Sequence, residues 1–533
     1  MVMANIVTYE SFGTTPVGIR DSMGHVTVSS DPAVLLHFLL FSCHPQVPFS
    51  ALRATWKLDE FIAPILRTLP VDVCKSLTSP SHSAEYQTYS LYYIPNKIFV
   101  VGPVRFYSLW QFWTDDDPDP TTLEDTQRMA DELLSTLSGC GIPSPTKLTS
   151  PVAVFEASEQ GRMVCGAIPK DYDTPQSCVE AQDYALKCDG RQWTSNYQIG
   201  CWGVGELWDY DLAGAYPSVA VRLRDIRQFS YRKSRTMDYG AYYGFLKGRM
   251  WIYPESPYAF MSPVITEVGG MQRSPVGDLG KNYYCTLDMV RFVEYYGLGK
   301  FELQDGWFLR PYSGTRPDNP FATSLQEFYN QRSQSSLASS VMKKMANGLI
   351  GKLKEKRGSS YGPMYNPIYH SLILTGTVIR VADFLIQNQV IPDELVHVGT
   401  DGCKLTRYIP LPSKASRMGQ WRCCGTEPTL VLSPGGVYAG GMKPGSLTYA
   451  DIIGMIREHP MSSRYSKMVE HRTTLSQAVA EGDISKVGSL YNRPASVDLN
   501  VLHLEQDRHF AKLPKTGRQV LDGKYRSVPI ELQ

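Results

Sequence analysis

Two apolar runs of strand length in this chain end at or just before an aspartate. ELVHV, Glu394 to Val398, passes straight into GTDG, so Asp401 stands between two turn-forming glycines, Gly399 and Gly402. Upstream, the apolar and aromatic residues of ELWDYD, Glu206 to Asp211, predict a strand that ends on Asp211. AGAYPS then reads as a turn entering a new element, with Pro217 barring helix continuation behind it. Two longer stretches carry a helical pattern: LEDTQRMADELLSTL, residues 123–137, and SLASSVMKKMANGLIGKLKEK, residues 336–356. On the second, Lys343 and Asn347 are four residues apart, and Ile350 and Gly351 follow at three and four, which predicts one shared face. Pro and Gly punctuate the chain at residues 114–122, 138–147 and 310–320, the candidate boundaries.

Composition narrows the class. At 533 residues, 43% hydrophobic and 20% charged, the chain is long enough for several domains or one multilobed enzyme. No segment reaches the roughly 18 uncharged apolar residues of a membrane-spanning helix, so no membrane partner is expected. The opening residues, MVMANIVTYESFG, lack the basic and apolar regions of a secretory signal. Eleven cysteines occur without a CxxC or Cys/His ligand spacing, which predicts a reducing, cytoplasmic setting. The net charge of +1 is uninformative, but basic residues gather at Lys343 to Arg357 and at Arg508, Lys512, Lys515, Arg518, Lys524 and Arg526. Such runs are solvated faces when taken alone and can also grip phosphates.

Taken singly, Asp211 and Asp401 each read as a turn or cap residue. Held together on adjacent strands they could bind a pair of Mg²⁺ ions roughly 4 Å apart, the arrangement that stabilises the attacking and leaving oxygens of phosphoryl transfer. A lysine on the Lys343 face could neutralise a triphosphate and Asn347 could hydrogen-bond, while Gly348 and Gly351 would let a nucleotide approach the backbone.

YDLAGAYPS resembles motif A of family B DNA polymerases (DxxSLYPS), KKMANGLIGK resembles motif B (KxxxNSxYG), and HVGTDG resembles motif C (YxDTDS). They occur in the family's order, and the pattern is most like the protein-primed phage and linear-plasmid branch. SNYQIG is similar to the YxGG/A stretch that contacts template, through Tyr197 and Gly200. NPIYHSLILTGTVIRVADFL looks like the palm helix before motif C. PGGVYAGG sits where a KxY motif is expected and matches only at Tyr438, with Gly436 in place of the lysine.

The resemblance implies a DNA-templated DNA polymerase acting on a DNA template-primer with dNTPs, using Mg²⁺ or Mn²⁺ held by Asp211 and Asp401. Gly399 stands where the family's first motif C aspartate belongs, so a demand for higher Mg²⁺ or for Mn²⁺ is expected. Tyr216 would pack under the sugar and exclude a 2′-hydroxyl. Lys343, aided by Arg332, would bind the triphosphate beside Asn347 and the backbone amides of Leu212, Ala213, Gly214 and Ala215. Tyr197, Gly200, Thr400 and Tyr438 would touch DNA. TYESFG, TWKLDEFI and TTLEDTQRMADELL resemble, more weakly, the motifs of the family's 3′–5′ exonuclease, which carries over Glu10, Asp59 and Asp125. Thr8, Thr55 and Thr121 replace an aspartate, an asparagine and the water-orienting tyrosine, so a degenerate domain without proofreading is expected.

The implied architecture is an α/β, right-hand polymerase preceded by an RNase H-like exonuclease-type domain. The expected order is an exonuclease-like domain over 1–145, a linker and template-contacting segment over 146–205, palm over 206–318 and 358–420, fingers over 319–357, and thumb over 421–533. The palm would carry Asp211 and Asp401 on a mixed antiparallel sheet, and the basic tail would track the duplex. A priming or processivity protein is a further expected partner, and a viral or plasmid source fits the branch. Two other readings stay open: an RNA-templated viral polymerase, because GTDG also resembles a Gly-Asp-Asp turn, and a non-catalytic nucleic-acid-binding or assembly protein on a polymerase scaffold.

Overall fold

The computed structural model describes residues 6–12, 17–21, 26–42, 52–113, 119–142, 145–158, 161, 176–188, 193–268, 271–332, 335–357, 360–432, 436–439, 447–499 and 508–532. They fall into two compact units. The first comprises residues 1–165, 326–349 and 470–493, and the second residues 166–325, 350–469 and 494–533.

The first unit is built on an eight-stranded sheet. Its centre is parallel, with Leu52–Thr55 between Ile6–Phe12 and Val104–Ser108, and antiparallel strands extend both edges. Leu58–Leu66 buries Phe61, Ile62, Ile65 and Leu66 in the same core as Phe99 and Phe106 of the sheet. The predicted helix at 123–137 is Leu123–Gly139, started by Thr122, whose hydroxyl accepts from the Asp125 amide at 3.0 Å. The second predicted helix runs Ser336–Lys352 and stops four residues early. Ser340 donates to Phe112 O at 2.9 Å and Lys344 Nζ to Gln111 O at 2.8 Å, so this helix is fastened to the rest of the unit. Leu475, Ala478, Ile484 and Val487 complete the core.

The second unit contains the strands that end in aspartate. ELVHV and ELWDYD form Leu395–Val398 and Trp208–Leu212. Both belong to a five-stranded sheet in the order Trp421–Thr426, Trp208–Leu212, Gly402–Leu405, Leu395–Val398, Ser195–Asn196. All its pairs are antiparallel rather than mixed. It also extends beyond residue 420, the expected end of the palm, because Trp421–Thr426 pairs with the Asp211 strand.

Pro367–Gln387 lies in the core against this sheet. Asn366 caps it by accepting from the Tyr369 amide, and Pro367 takes the first helical position, where its missing N–H costs nothing. Phe384 stacks on Trp421 at 4.0 Å between ring centres and packs on Tyr210. The helix is long and apolar enough to cross a membrane by length and composition, but 78% of its most apolar window is buried within the protein. AGAYPS departs from the expected turn. Ala215–Ala220 is helical, with Pro217 in the first turn, where no intrahelical N–H is required. Gly214 starts it at φ 58°, a left-handed conformation that costs a side-chain-bearing residue energy and glycine little. The eight cysteines whose side chains are described are free thiols.

Candidate active site

Antiparallel pairing brings the two aspartates together. Asp211 stands opposite Gly402, and the Leu212 amide donates to the Asp401 carbonyl at 2.8 Å, so Asp401 faces Leu212 across the ladder. Asp401 itself lies in the turn between Leu395–Val398 and Gly402–Leu405, next in sequence to the glycine that pairs with Asp211. Among the described residues no group of three or more His, Cys, Asp or Glu is placed to hold a metal. Two carboxylates still suit Mg²⁺ or Mn²⁺, which are commonly held by one or two carboxylates together with substrate phosphates and water.

On the other side of the Asp211 strand stands Arg422, a residue the sequence reading did not single out. It lies opposite Asp211 in register and reaches its Oδ2 from Nε at 2.8 Å and Nη2 at 2.7 Å. The guanidinium seated there fixes the orientation of the Asp211 carboxylate. Lys404 similarly pairs with Asp209 at 3.1 Å.

His397 sits beside Gly399, its Nε2 3.5 Å from where a Cβ at that glycine would stand. Asn196 Nδ2 donates to Leu432 O at 2.7 Å, which leaves Asn196 Oδ1 to accept from His397 Nδ1 at 2.7 Å. Nδ1 then carries the proton. Desolvation, with Lys404 nearby, lowers the imidazole pKa to about 4, so the ring is neutral at physiological pH. The folded state thus binds this proton more weakly than the unfolded chain, whose histidines titrate near 6.5. The resulting stability is present above about pH 6.5 and is lost as pH falls toward 4. We expect acid from pH 6.5 to 4 to cost the parent about 2 kcal/mol more stability than His397→Phe. Parallel acid-unfolding curves for the two proteins would refute this.

Several expected nucleotide contacts are placed differently. The Leu212 amide is committed to Asp401 O and the Ala213 amide to Gln420 O at 3.1 Å. Those two of the four amides therefore already have acceptors within the fold. Gly214 and Ala215 begin the short helix, and Tyr216 is half-buried on it. Lys343 and Asn347, in the first unit, are both exposed along their helix, whereas Ile350, the next residue assigned to that face, is buried. Gly348 serves packing rather than nucleotide approach, since a Cβ there would meet Val152 Cβ at 2.7 Å. Arg332 lies 5.7 Å from the Tyr329 ring centre.

The expected DNA contacts also divide. Tyr197 is a core residue, 3% exposed, with the Arg508 guanidinium 4.0 Å from its ring centre, so its ring is not presented to a template. Gly200 lies in a sheet strand against Gly523 and Lys524. Thr400 is half-buried in the turn before Asp401, and Tyr438 lies on strand Gly436–Ala439 with its side chain outside the described residues. Much of the basic tail is used internally. Arg508 is buried, Arg518 bonds Asp522, Lys524 donates to Cys201 O, and Arg526 pairs with Asp393 at 2.5 Å.

The exonuclease-type carboxylates have local partners. Asp59 accepts from the Asn96 amide at 2.7 Å, and burial raises its pKa. Asp125 accepts from Arg128 at 2.9 Å and from the Thr121 hydroxyl at 3.1 Å, and Arg128 leads in lowering its pKa to about 2. Glu10 is on strand Ile6–Phe12, with its side chain outside the described residues. Thr8, where the motif has aspartate, is buried and donates to Gln127 at 3.1 Å.

No family model matches this sequence, and no curated protein does. By structure, the chain has a fold shared with DNA polymerases. Phi29 DNA polymerase, solved with primer-template DNA and incoming nucleotide substrates, aligns with a TM-score of 0.55 and 11% identity, over 94% of this chain and 100% of that one. Its orthorhombic crystal form gives 0.53 and its complex with single-stranded DNA 0.52, each at 11% identity over 92% of this chain and 100% of that one. At this identity the likeness establishes the fold.

Proposed function

We propose that this protein is a DNA-templated DNA polymerase of the family B type that extends a primer 3′-hydroxyl with deoxynucleotides. One observation supports the reading above others: Asp211 pairs with Gly402, the residue after Asp401, and the Leu212 amide bonds the Asp401 carbonyl, in a fold shared with a polymerase. A divalent ion held by these carboxylates would supply Lewis-acid stabilisation of charge on the reacting oxygens. Asp211 and Asp401 orient the site and balance that charge. The primer oxygen forms a bond to the α-phosphorus, the bond to the bridging oxygen breaks, pyrophosphate leaves with that electron pair, and the hydroxyl proton passes to solvent. Lys343 and Asn347 are the candidates for contact with nucleotide phosphate. The local partners of Asp59 and Asp125, with Thr8 in place of an aspartate, favour a domain without exonuclease activity.

The test is extension of a labelled DNA primer on a DNA template, with a reaction lacking dNTPs to read degradation. Extension with no shortening is expected. The ion pair on Asp211, and the lack among the described residues of a group of three or more metal-ligating side chains, favour one second reading, a non-catalytic scaffold. Failure to extend with either Mg²⁺ or Mn²⁺ would select it.

Tyr216 provides a finer check. Tyr216→Val is expected to reduce discrimination against ribonucleotides by about 10²-fold, because a smaller side chain no longer crowds a 2′-hydroxyl. Unchanged relative kcat/KM for dNTP and rNTP would remove Tyr216 from the sugar site.

A further inference from the structure

Asp211 is held between two strands of opposite character. Asp401 lies in the turn that leads into the strand on one side, and Arg422 is carried by the strand on the other. Nε and Nη2 of Arg422 converge on one oxygen, Oδ2, at 2.8 and 2.7 Å. Its strand is fixed by the neighbouring Trp421, whose ring stacks on Phe384 of the core helix. The side chains of Arg422 and Asp211 are 40% and 29% exposed, so both reach solvent.

A divalent ion and a guanidinium cannot share that oxygen without cost. They compete for the same lone pairs and repel each other. Resting on the polymerase reading above, we propose that Arg422 is a positioning residue that sets the metal demand of the site. It occupies Asp211 when metal is scarce, and metal binding exchanges the ion for the guanidinium. The exchange is consequential here because Gly399 leaves the site two carboxylates. With Arg422 present, Asp211, Asp401 and the guanidinium together carry a single net negative charge to attract an ion. Arg422 also keeps the Asp211 carboxylate oriented and limits its repulsion of Asp401 before metal arrives.

The experiment measures Mn²⁺ binding to the full chain, without DNA or nucleotide, from the electron paramagnetic resonance signal of free Mn²⁺. Parent, R422Q, R422M, R422K, D211N and the D211N/R422Q double variant are compared. R422Q and R422M should bind Mn²⁺ about 10-fold more tightly than the parent, about 1.4 kcal/mol, whereas R422K should stay near the parent value. The tight binding should disappear in D211N/R422Q. A merely structural role for Arg422 predicts the opposite sign, because a disordered site binds metal less well. Unchanged or weaker binding in both R422Q and R422M, with D211N still reducing it, would overturn the competition and leave the two-carboxylate centre standing. No Asp211-dependent binding in the parent or in R422Q would overturn both.

Discussion

Asp401→Asn is expected to lower templated primer extension by about 10³-fold or more, with either Mg²⁺ or Mn²⁺, while leaving the folded protein intact. The substitution is nearly isosteric. The bond that fixes the strand register here runs from the Leu212 amide to the Asp401 main-chain carbonyl, so it survives the change. What is lost is charge. Metal ions in such sites contribute several kcal/mol of transition-state stabilisation, and about 4 kcal/mol corresponds to a thousandfold in rate. On the proposed reading Asp211 and Asp401 are the two carboxylates that would hold the ion, so neutralising one removes half of that charge. The measurement is the initial rate of extension of a labelled primer across a metal titration, with circular dichroism to show that the variant is folded. A variant that keeps more than a tenth of the parental rate at saturating metal would exclude Asp401 from the chemistry.

Local pattern revealed the elements of this site but not their assembly. The apolar runs ending at Asp211 and before Asp401 became strands because strand periodicity is a property of a few adjacent residues. The helix at 123–137 was legible for the same reason. Adjacency of the aspartates required the pairing of distant strands and entered only through the motif resemblance. Arg422 carried no local signal at all, since its meaning depends on standing opposite Asp211. The amides of Leu212 and Ala213 were assigned to phosphate because motif similarity does not reveal which acceptors the fold supplies. Gly348 looked like an opening for a nucleotide because its spacing is the same whether a ligand or Val152 approaches it. Within the basic tail, Arg508 is buried while Lys512 and Lys515 are exposed. Charge counted along the sequence cannot separate a cation that faces solvent from one already paired.

Arg508 is the sharpest instance, and Arg508→Ala is expected to destabilise the second unit by about 3 kcal/mol. The residue is 1% exposed, and its guanidinium covers Tyr197 while Nε donates to Ser527 Oγ at 2.9 Å. A desolvated cation–π contact is worth about 2 kcal/mol, and a charge-assisted hydrogen bond adds about 1.5 kcal/mol or more. Truncation removes both and opens a cavity over the ring. The consequence reaches the candidate active site. Tyr197 donates its amide to Val396 O at 2.8 Å, and the preceding strand, Ser195–Asn196, pairs with His397 and Val398 just before Asp401. Loosening Arg508 therefore loosens the support of the Asp401 turn. Arg508→Lys should recover only part of the loss, because an ammonium lacks the flat guanidinium that stacks on the ring. Denaturant unfolding followed by tryptophan fluorescence reads the shift in midpoint. If Arg508 instead gripped a DNA phosphate, its removal would leave that midpoint unchanged and would reduce the salt dependence of DNA binding. The two roles give opposite results in the same pair of measurements, and burial of the side chain favours the structural one.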